Sequence, residues 1–412
     1  MIQSLLHELR GRLAAPSRGP RTAVVVGRLL AIAFLLCFAT GLYSHLLQDP
    51  LPWMHFPTRP AGLYQLTQGI HITAGILCFP LITAKLYAVY PELFQTPPIR
   101  GFAHLLERAS ITLFVAASLV EIVSGLLNTY QWYALLHFPF RQTHFALSFV
   151  IIGSLAIHIA VKLPIIRQHW STRADAAAPV GASAEPIPGA VIAPVGGVTG
   201  RVFSWIDKTP APAQPRASRR AFLTTVGIAA GGLVLFTGGQ SFRLLDGANL
   251  FGARKRGDGP QSLPVNRTAQ KAKVVEAALS PDWVLTVTGA TTRTFTRAQL
   301  KALPQHTVDL PIACVEGWSQ LARWSGPRLR DLVELVGGSA DATIRATSLE
   351  KGSIYAVMQM PPEFVRDELT LVALTLNGRD LDLDHGFPAR MIAPARPGVL
   401  QTKWLTSLEV MA

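Results

Sequence analysis

The sequence predicts a multi-domain protein: an all-α transmembrane four-helix bundle, one further transmembrane helix, and then an α+β, mainly β, soluble domain. Three observations carry this expectation. Five apolar stretches of roughly bilayer-spanning length fall in the first 240 residues. Lys and Arg collect at alternate ends of those stretches. Beyond about residue 258 the apolar pattern changes to short alternating runs of the kind that form strands.

A chain of 412 residues has room for two or three domains. Its formal charge of +13 comes from basic residues at segment ends and in linkers, not from a basic face interleaved with aromatics. Membrane orientation therefore accounts for the charge, and no nucleic-acid partner is expected. Three cysteines cannot build a disulfide framework, and Cys37 and Cys78, inside apolar runs, read as packing residues.

Residues 1–21 form a short basic segment ahead of the membrane. Residues 22–168 hold four predicted spans, at about Ala23–Leu47, Leu63–Tyr87, Ile111–Leu127 and Phe145–Val161. The first is too long, and too soon followed by another, to be a cleaved signal peptide. Arg10, Arg12, Arg18 and Arg21 precede it; Lys85, Arg100 and Arg108 follow the second span; Lys162, Arg167 and Arg173 follow the fourth. The opposite loops carry only Arg59 and Arg141, with Trp53, Trp132 and Tyr133 suited to an interface, so the N-terminus is expected in the cytoplasm.

Histidines distinguish these spans. His45 closes the first, His71 lies within the second, and His144 and His158 share one face of the fourth, about 21 Å apart along a helix. A single membrane histidine more often hydrogen-bonds a neighbouring helix. Four in one bundle suit neutral axial ligands to haem b iron, and hence electron exchange with a quinone or quinol in the bilayer.

Residues 169–217 are rich in Ala, Pro, Gly and Val and read as a flexible cytoplasmic linker, with a short helix near Val202–Ile206. Residues 218–240 begin Ser218-Arg219-Arg220-Ala221-Phe222-Leu223 and continue as a Gly-rich apolar run. The hexamer looks like a twin-arginine export signal, read by machinery that moves folded proteins. It places the following residues outside the cytoplasmic membrane and implies that they carry a cofactor inserted before export.

Residues 258–412 form the soluble domain, with strands expected in WVLTVTGA, TRTFT, HTVDLPIACV, TLVALTLNG and WLTSLEVM, and helices at Arg297–Leu303 and Arg328–Val336. Cys314, in LPIACVEGWSQLARW, is the one cysteine outside the apolar spans, and its thiolate is the expected metal ligand.

The helical half resembles the bacterial cytochrome b561 family of di-haem membrane cytochromes, through QGIHITAG around His71, LERASITLF at Leu106–Phe114, and THFALSFVIIGSLAIHIAVKLP around His144 and His158. Two ligand pairings follow from that likeness: His45 with His144 and His71 with His158, or His71 with His144, leaving His158 to His104. The C-terminal half, through Cys314–Gly337 and Leu376–Val410, closely resembles the molybdopterin-binding domain of the sulfite oxidase superfamily, including its methionine sulfoxide reductase branch. The pattern His385-Gly386-Phe387-Pro388, Arg390, Gly398, Lys403-Trp404-Leu405 carries it. The resemblance implies that Cys314 is the catalytic molybdenum ligand. It implies that Arg390, Arg396 and Lys403 clamp the pterin phosphate, and that His385, Asn266 and Arg267 contact the cofactor. Tyr355 stands where the family can present an active-site tyrosine. Here Val-Glu-Gly-Trp follows Cys314, not the Asn-Arg-Arg run of animal and plant sulfite oxidases. Glu316 would repel sulfite if it faced the metal, unless Arg323 compensated.

The expected function is a membrane-bound molybdopterin-dependent oxidoreductase that couples oxygen-atom transfer on a small substrate, at an extracytoplasmic molybdenum centre, to haem b and the quinone pool. The alternatives are an anchor without haem served by a separate electron carrier, and a non-catalytic sensor or assembly protein.

Overall fold

The computed structural model describes residues 15, 17–94, 99, 101–135, 137–170 and 218–411. Most of the expected N-terminal segment, and the linker from 171 to 217 with its helix near Val202–Ile206, lie outside the described residues.

The N-terminal region is helical: α1 (Pro20–Gln48), α2 (Leu63–Val89), α3 (Phe102–Thr129), α4 (Phe140–Gln168) and α5 (Arg219–Thr237). All five are long and apolar enough to cross a membrane, by length and composition. Each is apolar around most of its circumference, and burial follows helical spacing. In α1, Val26, Leu30, Ala33 and Phe34 are buried while Leu29, Ile32, Leu35 and Leu36 are exposed. In α2, Ala74, Cys78, Leu81 and Ile82 are buried while Leu66, Phe79 and Leu86 are exposed. Exposed leucine and phenylalanine on helices of this length suit a lipid surround better than water.

The C-terminal region is mainly β. A five-stranded sheet has the order β2-β1-β11-β5-β6, built from β1 (Val284–Thr288), β2 (Thr292–Thr296), β5 (Ile344–Ser348), β6 (Val357–Met360) and β11 (Leu405–Val410). β1 and β11 are parallel, and the other neighbours are antiparallel. A four-stranded sheet runs β3-β4-β8-β9, from β3 (His306–Ala313), β4 (Ser319–Gly326), β8 (Thr375–Leu376) and β9 (Arg379–Asp380). β7 (Leu371–Ala373) and β10 (Arg390–Ile392) pair between the two cores. Short helices intervene: α6 (Ala269–Ala272), α7 (Val275–Leu279), α8 (Arg297–Ala302), α9 (Leu329–Glu334) and α10 (Pro362–Arg366).

The β7–β10 pair works as a partition. Because strand side chains alternate faces, Val372, Leu374 and Met391 enter the core with Leu285, Leu332 and Leu408. Leu371, Ala373 and Ile392 enter a second core with Leu310, Ile312 and Trp324. Both faces are apolar, so this stretch has no polar side, as expected of strands buried on both faces.

The expected run TLVALTLNG divides at Leu374 into β7 and β8, because its two halves join different sheets. β4, β5, β6 and β10 were not expected as strands. In β4 the inward positions are Ala322, Trp324 and Gly326 and the outward ones Leu321 and Arg323, so small residues hide the alternation.

Candidate active site

β3 ends at Ala313, and Cys314 opens a tight turn into β4. Cys314 N–H donates to Trp318 O at 2.9 Å, and Gly317 N–H donates to Cys314 O at 3.0 Å. Gly317 takes φ +100°, a left-handed conformation open to glycine at little cost. The turn holds the Cys314 side chain buried, 5% exposed.

Two donors face the sulfur. Asn266 Nδ2 donates to Sγ at 2.7 Å, and Glu316 N–H approaches it at 3.5 Å. Asn266 is fixed at its other end, where Oδ1 accepts from Trp318 Nε1 at 3.0 Å. Burial pushes the Cys314 thiol well up, with Glu316 adding to it; the two donors and Arg254 pull it down. A buried sulfur with two donors aimed at it suits a thiolate bound to a metal cation, which would deprotonate it outright. Among the described residues no group of three or more His, Cys, Asp or Glu could hold a metal ion.

Beyond this turn lies a knot of two cations, Arg390 buried and Lys403 partly buried. Arg390, on β10, is 2% exposed and donates only to carbonyls, His385 O at 3.0 Å and Met391 O at 3.4 Å, while its guanidinium lies 4.9 Å from the Trp324 ring centre. Lys403 Nζ donates to Arg267 O at 2.5 Å and Asp384 O at 2.9 Å. Burial, then Arg390, pushes Lys403 down to about 7, and burial lowers Arg390 to about 9. Buried charge answered by neutral carbonyls is costly unless an anion joins it, so this knot fits a phosphate. Gly386 makes the approach possible: at φ +107°, a Cβ there would stand 3.1 Å from the Cβ atoms of both Arg390 and Lys403.

The other expected residues are placed differently. His385 is buried, held near 4 first by burial, and donates from Nε2 to Pro260 O at 2.7 Å, so it ties down the segment leading to Asn266. Arg267 is half exposed and pairs with Glu350 through Nε at 2.8 Å. The structure gives Arg396 partners of its own: it donates to Leu400 O at 3.3 Å and Gln359 O at 2.5 Å, over the Phe364 ring. Arg323 does not compensate Glu316; it lies exposed on β4, bonded to Asp309 at 3.0 and 3.2 Å.

Glu316 faces the helical region. Its carboxylate accepts from Tyr133 Oη at 2.5 Å and from Gln131 Nε2 at 2.8 Å. It also lines a cavity of about 440 Å³ with Tyr355, Arg141, Glu121, His71 and His144. The His71 and His144 ring centres are 6.2 Å apart. His71 Nδ1 donates to Cys37 O at 2.9 Å, and His144 Nδ1 lies against Glu121 Oε2, which leaves each Nε2 to the cavity. Gly41 and Gly125 border the two rings: a Cβ at Gly41 would stand 2.7 Å from His71 Cε1, and one at Gly125 would stand 3.7 Å from His144 Cε1. These two imidazoles, both on the cavity wall, are the side chains here that could hold a cofactor metal. His45 lines the same cavity but is stacked on Phe145, with ring centres 3.6 Å apart. His158 lies farther along α4, its Nδ1 buried without a hydrogen-bond partner among the described residues.

Sequence reasoning did not single out Gln68, Glu121, Gln131 or Arg254. For Glu121 the signal was present, a carboxylate inside an apolar helix.

Residues 271–412 match the family model described as the oxidoreductase molybdopterin binding domain. A mitochondrial sulfite oxidase of Drosophila melanogaster is 31% identical over 30% of this chain and 26% of its own length. The "Uncharacterized oxidoreductase YuiH" of Bacillus subtilis is 32% identical over 27% and 54%. The "Putative protein-methionine-sulfoxide reductase subunit YedZ1" of Azospira oryzae is 29% identical over 28% and 43%. The chain thus spans between about a quarter and a half of the length of these relatives. Its C-terminal part is an oxidoreductase molybdopterin-binding domain of the sulfite oxidase superfamily.

Proposed function

We propose that the whole chain is a membrane-bound molybdopterin-dependent oxidoreductase that moves electrons between a quinone pool and an oxygen-atom-transfer centre at Cys314 by way of haem b. The observation that carries the reading is the buried Cys314 sulfur with Asn266 aimed at it, together with the Arg390–Lys403 knot. Cys314 would hold the metal, and Arg390 and Lys403 the pterin phosphate. When bound, the cofactor supplies the two-electron chemistry, and the protein supplies position and charge.

The haem reading is supported by the His71–His144 pair, which favours those two as ligands to one haem; His45, stacked on Phe145, then stands beside that haem. His158 and His104 remain for a second. The favoured substrate is a small neutral S- or N-oxide. Its reduction takes two electrons and two protons and releases water, and a quinol supplies both on oxidation to the quinone. The Glu316 carboxylate is turned toward Tyr133 and Gln131, yet its charge still acts on the Cys314 sulfur and so disfavours an anion such as sulfite.

The extracytoplasmic side is supported by contacts that join the domain to the two loops poor in Lys and Arg. Arg59 pairs with Asp367 at 3.0 Å, Ala395 N–H donates to Ala61 O at 2.8 Å, and Tyr133 and Gln131 reach Glu316. Export through the twin-arginine pathway would begin at Arg219 and Arg220, which open α5.

Cys314→Ser in intact membranes tests the reading. Molybdenum and turnover should disappear while the b-type haem band stays. Unchanged turnover would refute the ligand, and wild-type membranes with molybdenum but no haem band would refute the conduit.

A further inference from the structure

The three residues after Cys314 are each gripped by the helical region. Val315 O accepts from Gln68 Nε2 at 2.9 Å. The Glu316 carboxylate accepts from Tyr133 and Gln131, and Gly317 O accepts from the Ser241 hydroxyl. A Cβ at Gly317 would stand 2.7 Å from Ile72 Cγ1, so the turn lies flush on α2. The grips come from α2, from the turn after α3, and from the segment after α5.

Gln131 is set for this task. It closes α3 at φ +59°, with Gln131 N–H donating to Asn128 O at 3.1 Å and Trp132 N–H to Leu127 O at 2.9 Å. These two bonds are those of a Schellman cap, so the end of α3 fixes where the Gln131 side chain leaves the backbone. Glu316 is 7% exposed, and among the described residues no ion pair to it is formed; its carboxylate rests on two neutral donors. A buried carboxylate so held adds little net stability, whereas its geometry is specific.

We propose that Glu316, gripped by Tyr133 and Gln131, is a positioning residue for electron transfer: it holds the Cys314 turn in one register against the cavity that contains His71 and His144. The inference rests on the haem reading above. The grip is a matter of hydrogen-bond geometry, so an amide at position 316, which can also bond both partners, preserves it.

The test uses the full chain in membranes, with dimethyl sulfoxide as substrate. Turnover is driven either by a reduced viologen, which delivers electrons directly to the metal domain, or by a quinol. Stopped-flow absorbance follows reoxidation of pre-reduced haem, two electrons per sulfoxide. The double variant Tyr133→Phe, Gln131→Ala should keep viologen-driven turnover at the wild-type level while haem reoxidation slows severalfold. Its haem spectrum and midpoint potentials should not move. Glu316→Gln should reoxidise haem at the wild-type rate. The inference is overturned if the double variant reoxidises haem normally, if both activities fall together, or if Glu316→Gln is as slow as the double variant. Wild-type membranes lacking haem would remove the haem reading and this inference with it; a wild type that couples normally beside an unaffected double variant removes only the inference.

Discussion

Asn266 links two side chains that perform different tasks, so its two ends can be separated by substitution. Nδ2 donates to the Cys314 sulfur at 2.7 Å, and Oδ1 accepts from the buried Trp318 indole at 3.0 Å. Asn266→Ala removes both contacts. Losing a hydrogen bond to a thiolate costs about 1.5–3 kcal/mol, and leaving the indole N–H unpaired costs about 1–3 kcal/mol. The first loss acts only on the ionised, metal-bound sulfur; the second acts on the folded protein whether or not metal is present. Asn266→Asp separates them, because it keeps an acceptor for Trp318 and replaces the donor to sulfur by a carboxylate. The alanine variant should therefore lower both the melting temperature of the metal-free protein and the retention of molybdenum. The aspartate variant should lower retention alone, by about thirtyfold if about 2 kcal/mol is lost. Molybdenum per chain after dilution into chelator, and thermal melting of metal-free protein, measure the two effects. An Asn266→Asp protein that keeps its molybdenum at the wild-type level would refute the role given to this side chain.

Arg390 and Arg396, which share burial and charge, should behave differently: Arg390→Leu should abolish pterin retention, whereas Arg396→Leu should lower the melting temperature and leave cofactor content near one per chain. Lys403 is held near 7, below the ordinary lysine range, so between those limits the unfolded chain binds a proton that the folded one does not. Metal-free protein should then gain stability as pH rises from about 7 toward 9.5, and Lys403→Met should flatten that slope in melting curves. His385, held near 4, gives the same sign in a lower window: stability should fall as pH drops below its ordinary 6.5, and His385→Gln should reduce that loss. Gly326→Ala should prevent folding, since a Cβ there would stand 2.0 Å from the Val372 carbonyl oxygen; a normal circular-dichroism spectrum would contradict this.

The helical region was legible because apolar length is a local property, and so were β1, β2, β3 and β11, whose alternation lies within single runs. β10 was harder, because its three buried residues leave no period to read. Cys314 was conspicuous as a residue type, but the groups around it come from far along the chain: Asn266 lies 48 positions earlier, and Tyr133 183 positions before Glu316. No local pattern announces such pairs. Arg396, close in sequence to Arg390 and Lys403, is likewise buried on backbone carbonyls, those of Leu400 and Gln359, which the sequence did not indicate.

The strand order of the five-stranded sheet bears on biogenesis. β11 sits in its middle, between β1 and β5, yet it follows every other strand in the chain. Translation delivers that central strand well after β1 and β5, so until residues 405–410 leave the ribosome those two strands have no neighbour between them. Lys403 and Trp404, which reach Asp384 and Leu383, arrive in the same stretch. The sheet and the anion knot therefore close together, once residues 403–410 are in place, so neither can form ahead of the other.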